Sequence, residues 1–204
     1  MKCTKQIFLE DIENHQMYVI RDEEVYRHLR FKKPGTNCMS FDIITWPGHL
    51  CYTGDMGTYV FKRLPDMFEF FRTKSNEAGE ISINLDYWEE KCIAIDHRIG
   101  ITEYSKDNVR TCITERLADG DVSPALRQAI ENEILNNIPD NEFEARDMIN
   151  NFEHEGFTFQ DFWEANLSNY TYRYVWCCYA LVWGIQRYDI LKEEKLKVLE
   201  LLDQ

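Results

Sequence analysis

Three turn signals cut the N-terminal third of this 204-residue chain into short, similar pieces: Lys33-Pro34-Gly35, Pro47-Gly48 and Gly54-Asp55-Met56-Gly57. Between and before them lie segments suited to strands. Val25, Arg27, Leu29 and Phe31 alternate with Tyr26, His28 and Arg30 at period two. Met39–Trp46 is rich in β-branched and aromatic residues, and His49–Thr53 and Thr58–Phe61 follow after tight connections. Strands joined by loops this short are antiparallel neighbours. The pattern predicts a β-meander of three or four strands, preceded by a short helix around Thr4–Asn14.

From Pro65 the period becomes helical. Met67, Phe70 and Phe71 share one helix face. Asn84 is placed to cap a helix carrying Trp88, Cys92 and Ile95, and Ser105 one carrying Val109, Cys112 and Ile113. Ser123-Pro124 is a cap followed by a first-turn proline, ahead of Leu126, Ile130, Ile134 and Ile138. After Pro139, Asp140 opens a helix with Ala145, Met148, Ile149 and Phe152. Gly156 interrupts again, and Thr158–Leu167 reads as a short aromatic helix. Tyr170–Leu191 is apolar nearly all round, as a helix buried on most sides must be, and Glu193–Leu202 reads as a separate charged helix.

A strand layer cannot bury its inner face alone, so the helices must cover it. The expected fold class is α+β, with the N-terminal antiparallel meander packed against a larger C-terminal helical part. With no repeat and no long linker, residues 1–204 are expected to form a single domain, mainly strands over 1–63 and mainly helices over 64–204. Seven cysteines, at 3, 38, 51, 92, 112, 177 and 178, show neither a CxxC pair nor ligand-like histidine spacing. They read as free thiols in a reducing compartment, with no metal and no cofactor expected. MKCTKQIFLEDIENHQ lacks a secretory pattern, and the longest uncharged stretch, Tyr174 to Gln186, is too short to cross a bilayer. A soluble protein with no membrane association is expected.

Charge is unevenly placed. The chain carries −13 overall, yet residues 1–74 hold 11 Lys+Arg against 10 Asp+Glu, while residues 75–204 hold 12 against 26. Such a balance argues against direct nucleic-acid binding, which calls for the opposite sign.

Two stretches, FKKPGTNCMSFDIITWPGHLCYTGDMGTYVFKRLPDMFEFFR (Phe31–Arg72) and FWEANLSNYTYRYVWCCYALVWGIQRYD (Phe162–Asp189), carry a resemblance. Together they resemble an uncharacterised family of small accessory proteins encoded by tailed bacteriophages and prophages, TWPG…GDMGTYVF being the most specific part. The resemblance implies a phage or prophage gene expressed in the bacterial host cytoplasm. It implies no catalytic residues.

Candidate chemistry is sparse. Asp55, between Gly54 and Gly57, is placed at a loop tip where a metal or base role can be imagined. A hairpin turn is favoured, because glycine and aspartate supply positive φ there and a phosphate-cradling loop needs a helix, not a strand, after it. Asp42, His28 and His49 lie in or beside the strands, and Asp96 precedes His97, but no catalytic motif joins them. Satisfied or surface histidines are favoured for all five, including His15 and His154. Cys177-Cys178 sits between Trp176 and Tyr179 on an apolar helix, which favours inert core thiols. Arg27, Arg30, Lys32, Lys33, Lys62 and Arg63 suggest a basic strip near Tyr26 and Tyr59, a weak phosphate or single-strand platform. Protection of an edge strand by cations explains the same residues.

The acidic helices are the feature that suggests a partner. Glu131, Glu133, Asp140, Glu142, Glu144 and Asp147 are the expected partner-binding residues, since helical carboxylates about 5–6 Å apart can imitate a phosphate backbone. The leading expectation is a phage-encoded, non-enzymatic interaction protein. It would be an acidic inhibitor of a host defence or nucleic-acid-binding protein, engaging a basic surface on that host protein. The alternative is a small hydrolase or binding protein acting on a nucleotide or phosphorylated metabolite, using Asp55 and a histidine. A homo-oligomer is also allowed by the five tryptophans, Trp46, Trp88, Trp163, Trp176 and Trp183.

Overall fold

The computed structural model describes residues 2–72, 80–118 and 122–202. The fold is α+β, an N-terminal antiparallel sheet followed by a larger helical part. The chain divides into two compact units, Met1–Ile101 with Tyr170–Gln204, and Thr102–Asn169.

The first unit is built on a six-stranded sheet in sequence order. Helix α1 (Lys5–Asp11) is capped by Thr4, whose hydroxyl accepts from the Ile7 N–H at 3.3 Å. Five consecutive antiparallel strands follow: β1 (Gln16–Glu23), β2 (Tyr26–Lys32), β3 (Phe41–Trp46), β4 (His49–Gly54) and β5 (Gly57–Lys62). Helix α2 (Met67–Phe71) is capped by Asp66 and α3 (Leu85–Glu89) by Asn84. Strand β6 (Cys92–Ile95) then returns to pair with β5.

Strands β2 to β5 fall where the turn signals put them, but the sheet is wider than the three or four strands expected. Edge strand β1 is exposed along most of its length, so its sequence shows no period-two burial to betray it. The expected helix through Cys92 and Ile95 is corrected: α3 ends at Glu89, and Cys-Ile-Ala-Ile adds a strand to the open edge of β5. Four consecutive apolar residues have no helix period, and an unpaired edge recruits them.

The inner face of the sheet buries Leu29, Phe31, Phe41, Ile43, Leu50, Tyr52, Tyr59 and Phe61. Against it lies one uninterrupted helix, Tyr172–Leu202, where two helices were expected. Neither glycine nor proline follows Leu191, so nothing terminates the helix at that point. Its N-terminal half is buried through Tyr174, Trp176, Cys177, Cys178, Leu181, Val182 and Ile185. Gly184 permits the closest approach, since a Cβ there would lie 2.7 Å from the Ile43 Cδ1. Phe41 meets Trp176 edge-on at 5.6 Å, and the Trp176 indole N–H donates to Asp11 at 2.9 Å.

The second unit has its own apolar cluster. Helix α4 (Lys106–Ala118) contributes Val109, Ile113 and Leu117. Helix α5 (Pro124–Ile130), capped by Ser123, runs on as a π-helical turn over Glu131–Leu135, in which the Asn136 N–H bonds the Glu131 carbonyl at 3.0 Å. Helix α6 (Glu142–Asn150) is capped by Asn141, not by Asp140, because the Asn141 side chain accepts from the Glu144 N–H at 2.9 Å. The expected aromatic helix over Thr158–Leu167 is only a 3-10 turn, Phe162–Glu164. Residues Glu153–His154 and Phe157–Thr158 form a small hairpin around Gly156 instead, which takes φ +82°.

Candidate functional site

The unit boundary sharpens the charge asymmetry. Thr102–Asn169 holds 15 acidic against 5 basic side chains, a net −10 of the −13, leaving 21 against 18 for the rest of the chain. Three of those five cations are engaged inside the unit. Lys106 pairs with Asp140 at 2.6 Å, and its hydrogen bond and charge hold that carboxyl below the usual range. Arg116 donates to the carbonyls of Gln160 and Asp161. Arg146 pairs with Glu142 at 2.7 Å and donates to the carbonyls of Phe162, Trp163 and Ala165 at 3.1, 2.9 and 2.9 Å.

These contacts divide the six expected partner-binding residues. Asp140 and Glu142 spend their charge on internal ion pairs. Glu131, Glu133, Glu144 and Asp147 are exposed and form no ion pair among the described residues. Two aromatic side chains also stand in solvent: Phe143, which sequence reasoning did not single out, and Trp163, one of the five tryptophans that allowed an oligomer interface. Phe143, between Glu142 and Glu144 on α6, is 81% exposed, and Trp163, beside Glu164, is 65% exposed. Arg146 lies one turn along from Phe143 and ties α6 to the backbone of Trp163, so one guanidinium braces both aromatic carriers. The helical period gave a signal for Phe143, which falls off the Ala145–Ile149 buried face.

The outward face of the sheet holds a second polar group. Register places Arg30 opposite Asp42, Asp42 opposite Thr53, and Thr53 opposite Thr58. Asp42 accepts from Arg30 Nε at 2.9 Å and Nη2 at 2.8 Å, and lies 2.7 Å from His28 Nε2. Burial pushes the Asp42 carboxyl up, but these hydrogen bonds and the neighbouring charges outweigh it, and it titrates below the usual range. The period-two pattern placed His28 and Arg30 on one face. The register that brings Asp42 to them depends on the conformation of residues 33–40, which the pattern does not report.

The remaining candidates lie apart from both groups, and some take structural roles. Asp55 sits in the β4–β5 turn as the turn reading expected, and its carboxylate accepts from the Met39 N–H at 2.6 Å. His15 Nε2 lies 3.1 Å from the Met39 carbonyl, and His49 stacks on Trp46 at 5.1 Å. His97 is exposed, 3.8 Å from Asp96, and His154 lies in the small hairpin. The basic strip is broken, a correction with a simple cause: Arg27 lies on the inward phase of β2, buried against Asp66, and Tyr59 faces the core. All seven cysteines are free thiols, and burial pushes Cys177 and Cys178 well above the ordinary value. No group of three or more His, Cys, Asp or Glu side chains is arranged to hold a metal ion among the described residues. No described helix is long and apolar enough to cross a membrane.

Comparison with protein-family models, with curated proteins and with solved structures gives no match for this chain.

Proposed function

We propose that this protein is a non-enzymatic interaction protein whose Thr102–Asn169 unit presents an acidic, aromatic-bearing surface to a cation-rich protein. The observation that carries the reading is the net −10 of that unit combined with the internal use of three of its five cations. Exposed carboxylates of one sign steer a basic partner and make association fast and salt-sensitive. Exposed Phe143 and Trp163 add apolar contact and ring faces for arginine or lysine, the combination that anchors protein interfaces. Glu131, Glu133, Glu144 and Asp147 are the contact carboxylates in this reading, with Asp140 and Glu142 serving the unit's own structure.

The resemblance of Phe31–Arg72 and Phe162–Asp189 to small tailed-phage proteins supports a phage or prophage origin and a host protein as the partner, met in the bacterial cytoplasm. A host nucleic-acid-binding or defence protein has the required basic surface. The test is affinity capture from bacterial lysate at low and moderate salt, with wild type beside a variant carrying Lys at positions 131, 133, 144 and 147. A partner that is retained by wild type at low salt, and lost both with salt and with the variant, supports the reading. A partner retained equally by both proteins refutes it.

A further inference from the structure

A concavity of about 340 Å³ opens at one end of the outward sheet face, lined by Arg30, Lys32, Asn37, Asp42, Ser40 and Thr53 with Gly54. Its volume lies at the small end of ligand pockets. Its hydrogen-bonding balance is unusual for a protein this acidic. The single carboxylate, Asp42, has both oxygens occupied by Arg30 and His28. The other polar lining groups offer mostly donors. Lys32 Nζ spends one hydrogen on Asn37 Oδ1 at 3.3 Å, and Arg30 uses Nε and Nη2 on Asp42. The Arg30 Nη1, two Lys32 hydrogens, the Asn37 amide and the Ser40 hydroxyl remain uncommitted among the described residues. Among the lining residues, two cations against one anion leave the pocket net positive.

The wall is also preorganised. Asn37 and Ser40 supply its loop side, and the Gly54–Gly57 turn holds the backbone at Met39 and Ser40. The Asp55 N–H donates to the Ser40 carbonyl at 3.1 Å, and the Asp55 carboxylate holds the Met39 N–H, with Met39 at φ +56°. His15 meets the Met39 carbonyl from the other side. Gly54 allows this approach, because a Cβ there would come within 2.7 Å of the Phe41 Cα. Donors fixed by strands and a clamped loop hold an anion without paying to order the site.

We propose that this pocket binds a phosphate group, either free or on a small phosphomonoester, with Lys32 and Arg30 as its charged ligands and Asn37 and Ser40 as neutral donors. A tetrahedral oxyanion suits the site because its several acceptors match several donors lining one concavity, and charge-assisted hydrogen bonds from Lys32 and Arg30 are the strongest contacts available. The site is built from residues of the first unit alone and stands whether or not the acidic unit binds a protein.

The experiment is an amide NMR titration of the full chain with inorganic phosphate at constant ionic strength, repeated with ribose 5-phosphate. Saturable shifts at Asn37, Ser40, Thr53 and Gly54 are expected. Lys32→Gln should bind about tenfold more weakly, the loss of one charge-assisted contact, and Lys32→Arg should restore most of the affinity. Tighter binding of ribose 5-phosphate assigns an organic monoester, and equal binding assigns free phosphate. Absence of saturable shifts at these amides, equal shifts with chloride, or unchanged affinity in a folded Lys32→Gln protein would overturn the proposal.

Discussion

Arg27 lays both terminal nitrogens on the two carboxylate oxygens of Asp66, at 2.9 Å each, while its guanidinium covers the Phe68 ring at 4.5 Å. Arg27 is 8% exposed, so this is a near-buried, bidentate pair on a sheet face that is otherwise mostly apolar. Asp66 also caps α2 through the Phe68 N–H. Removing the carboxylate strands a buried cation, which typically costs about 3 kcal/mol or more. Asp66→Asn should therefore lower the urea midpoint markedly with an unchanged m-value. A shift no larger than that of an exposed Asp→Asn control would show the pair to be dispensable.

The same pair sets an acid limit. Burial pushes the Asp66, Asp42 and Asp22 carboxyls up, but Arg27 acts on the first, Arg30 and His28 on the second, and Tyr188 and Lys192 on the third. All three end below the ordinary 3.8. A carboxyl depressed on folding binds fewer protons in the native state, so stability rises with pH through that window. Their contribution is complete above about pH 4–5 and is lost as pH falls through the depressed values. Denaturant midpoints measured downward from about pH 5 should fall, and Asp66→Asn should flatten that fall.

Gly54 faces backbone rather than a yielding side chain, with the Ser40 carbonyl and Phe41 Cα against the position of a Cβ. Gly54→Ala should cost about 1–3 kcal/mol, as overpacking does. The amides of Met39 and Ser40 should also lose hydrogen-exchange protection. An unchanged melting temperature would mean that the clamp on residues 33–40 yields freely.

Phe143 and Trp163 are exposed, so their removal separates binding from folding. Phe143→Ala with Trp163→Ala should change stability by no more than about 0.5 kcal/mol, while weakening the salt-sensitive complex expected of the acidic unit. Charge reversal at Glu131, Glu133, Glu144 and Asp147 should act differently, reducing the dependence of affinity on salt. Complex formation across a salt series, read beside thermal melting, checks both.

Thiol reactivity should follow burial. Cys38 is exposed, whereas Cys177 and Cys178 are buried with their thiols pushed up by desolvation. A soluble disulfide reagent should modify Cys38 rapidly and reach Cys177 and Cys178 only on unfolding. Mass spectrometry of partially labelled protein distinguishes the three, and early labelling of Cys177 would show that the long helix opens locally.

Local chemistry in the sequence was enough for strands β2 to β5, because proline-glycine and glycine-aspartate turns leave adjacent strands no alternative to antiparallel pairing. It was enough too for the caps at Asn84, Ser105 and Ser123, and for the burial of Trp176, Cys177 and Cys178. Net charge and its crowding into the later helices were legible by counting. Tertiary structure decided what counting cannot see. It spent Asp140 on Lys106 and Glu142 on Arg146 while leaving Glu131, Glu133, Glu144 and Asp147 in solvent. It recruited Cys92–Ile95 to an open strand edge, and it set the register that joins His28, Arg30 and Asp42. The division has one physical reason. Turn, cap and periodicity signals act over a few residues, whereas ion pairing and strand register depend on which distant groups packing brings within hydrogen-bond reach.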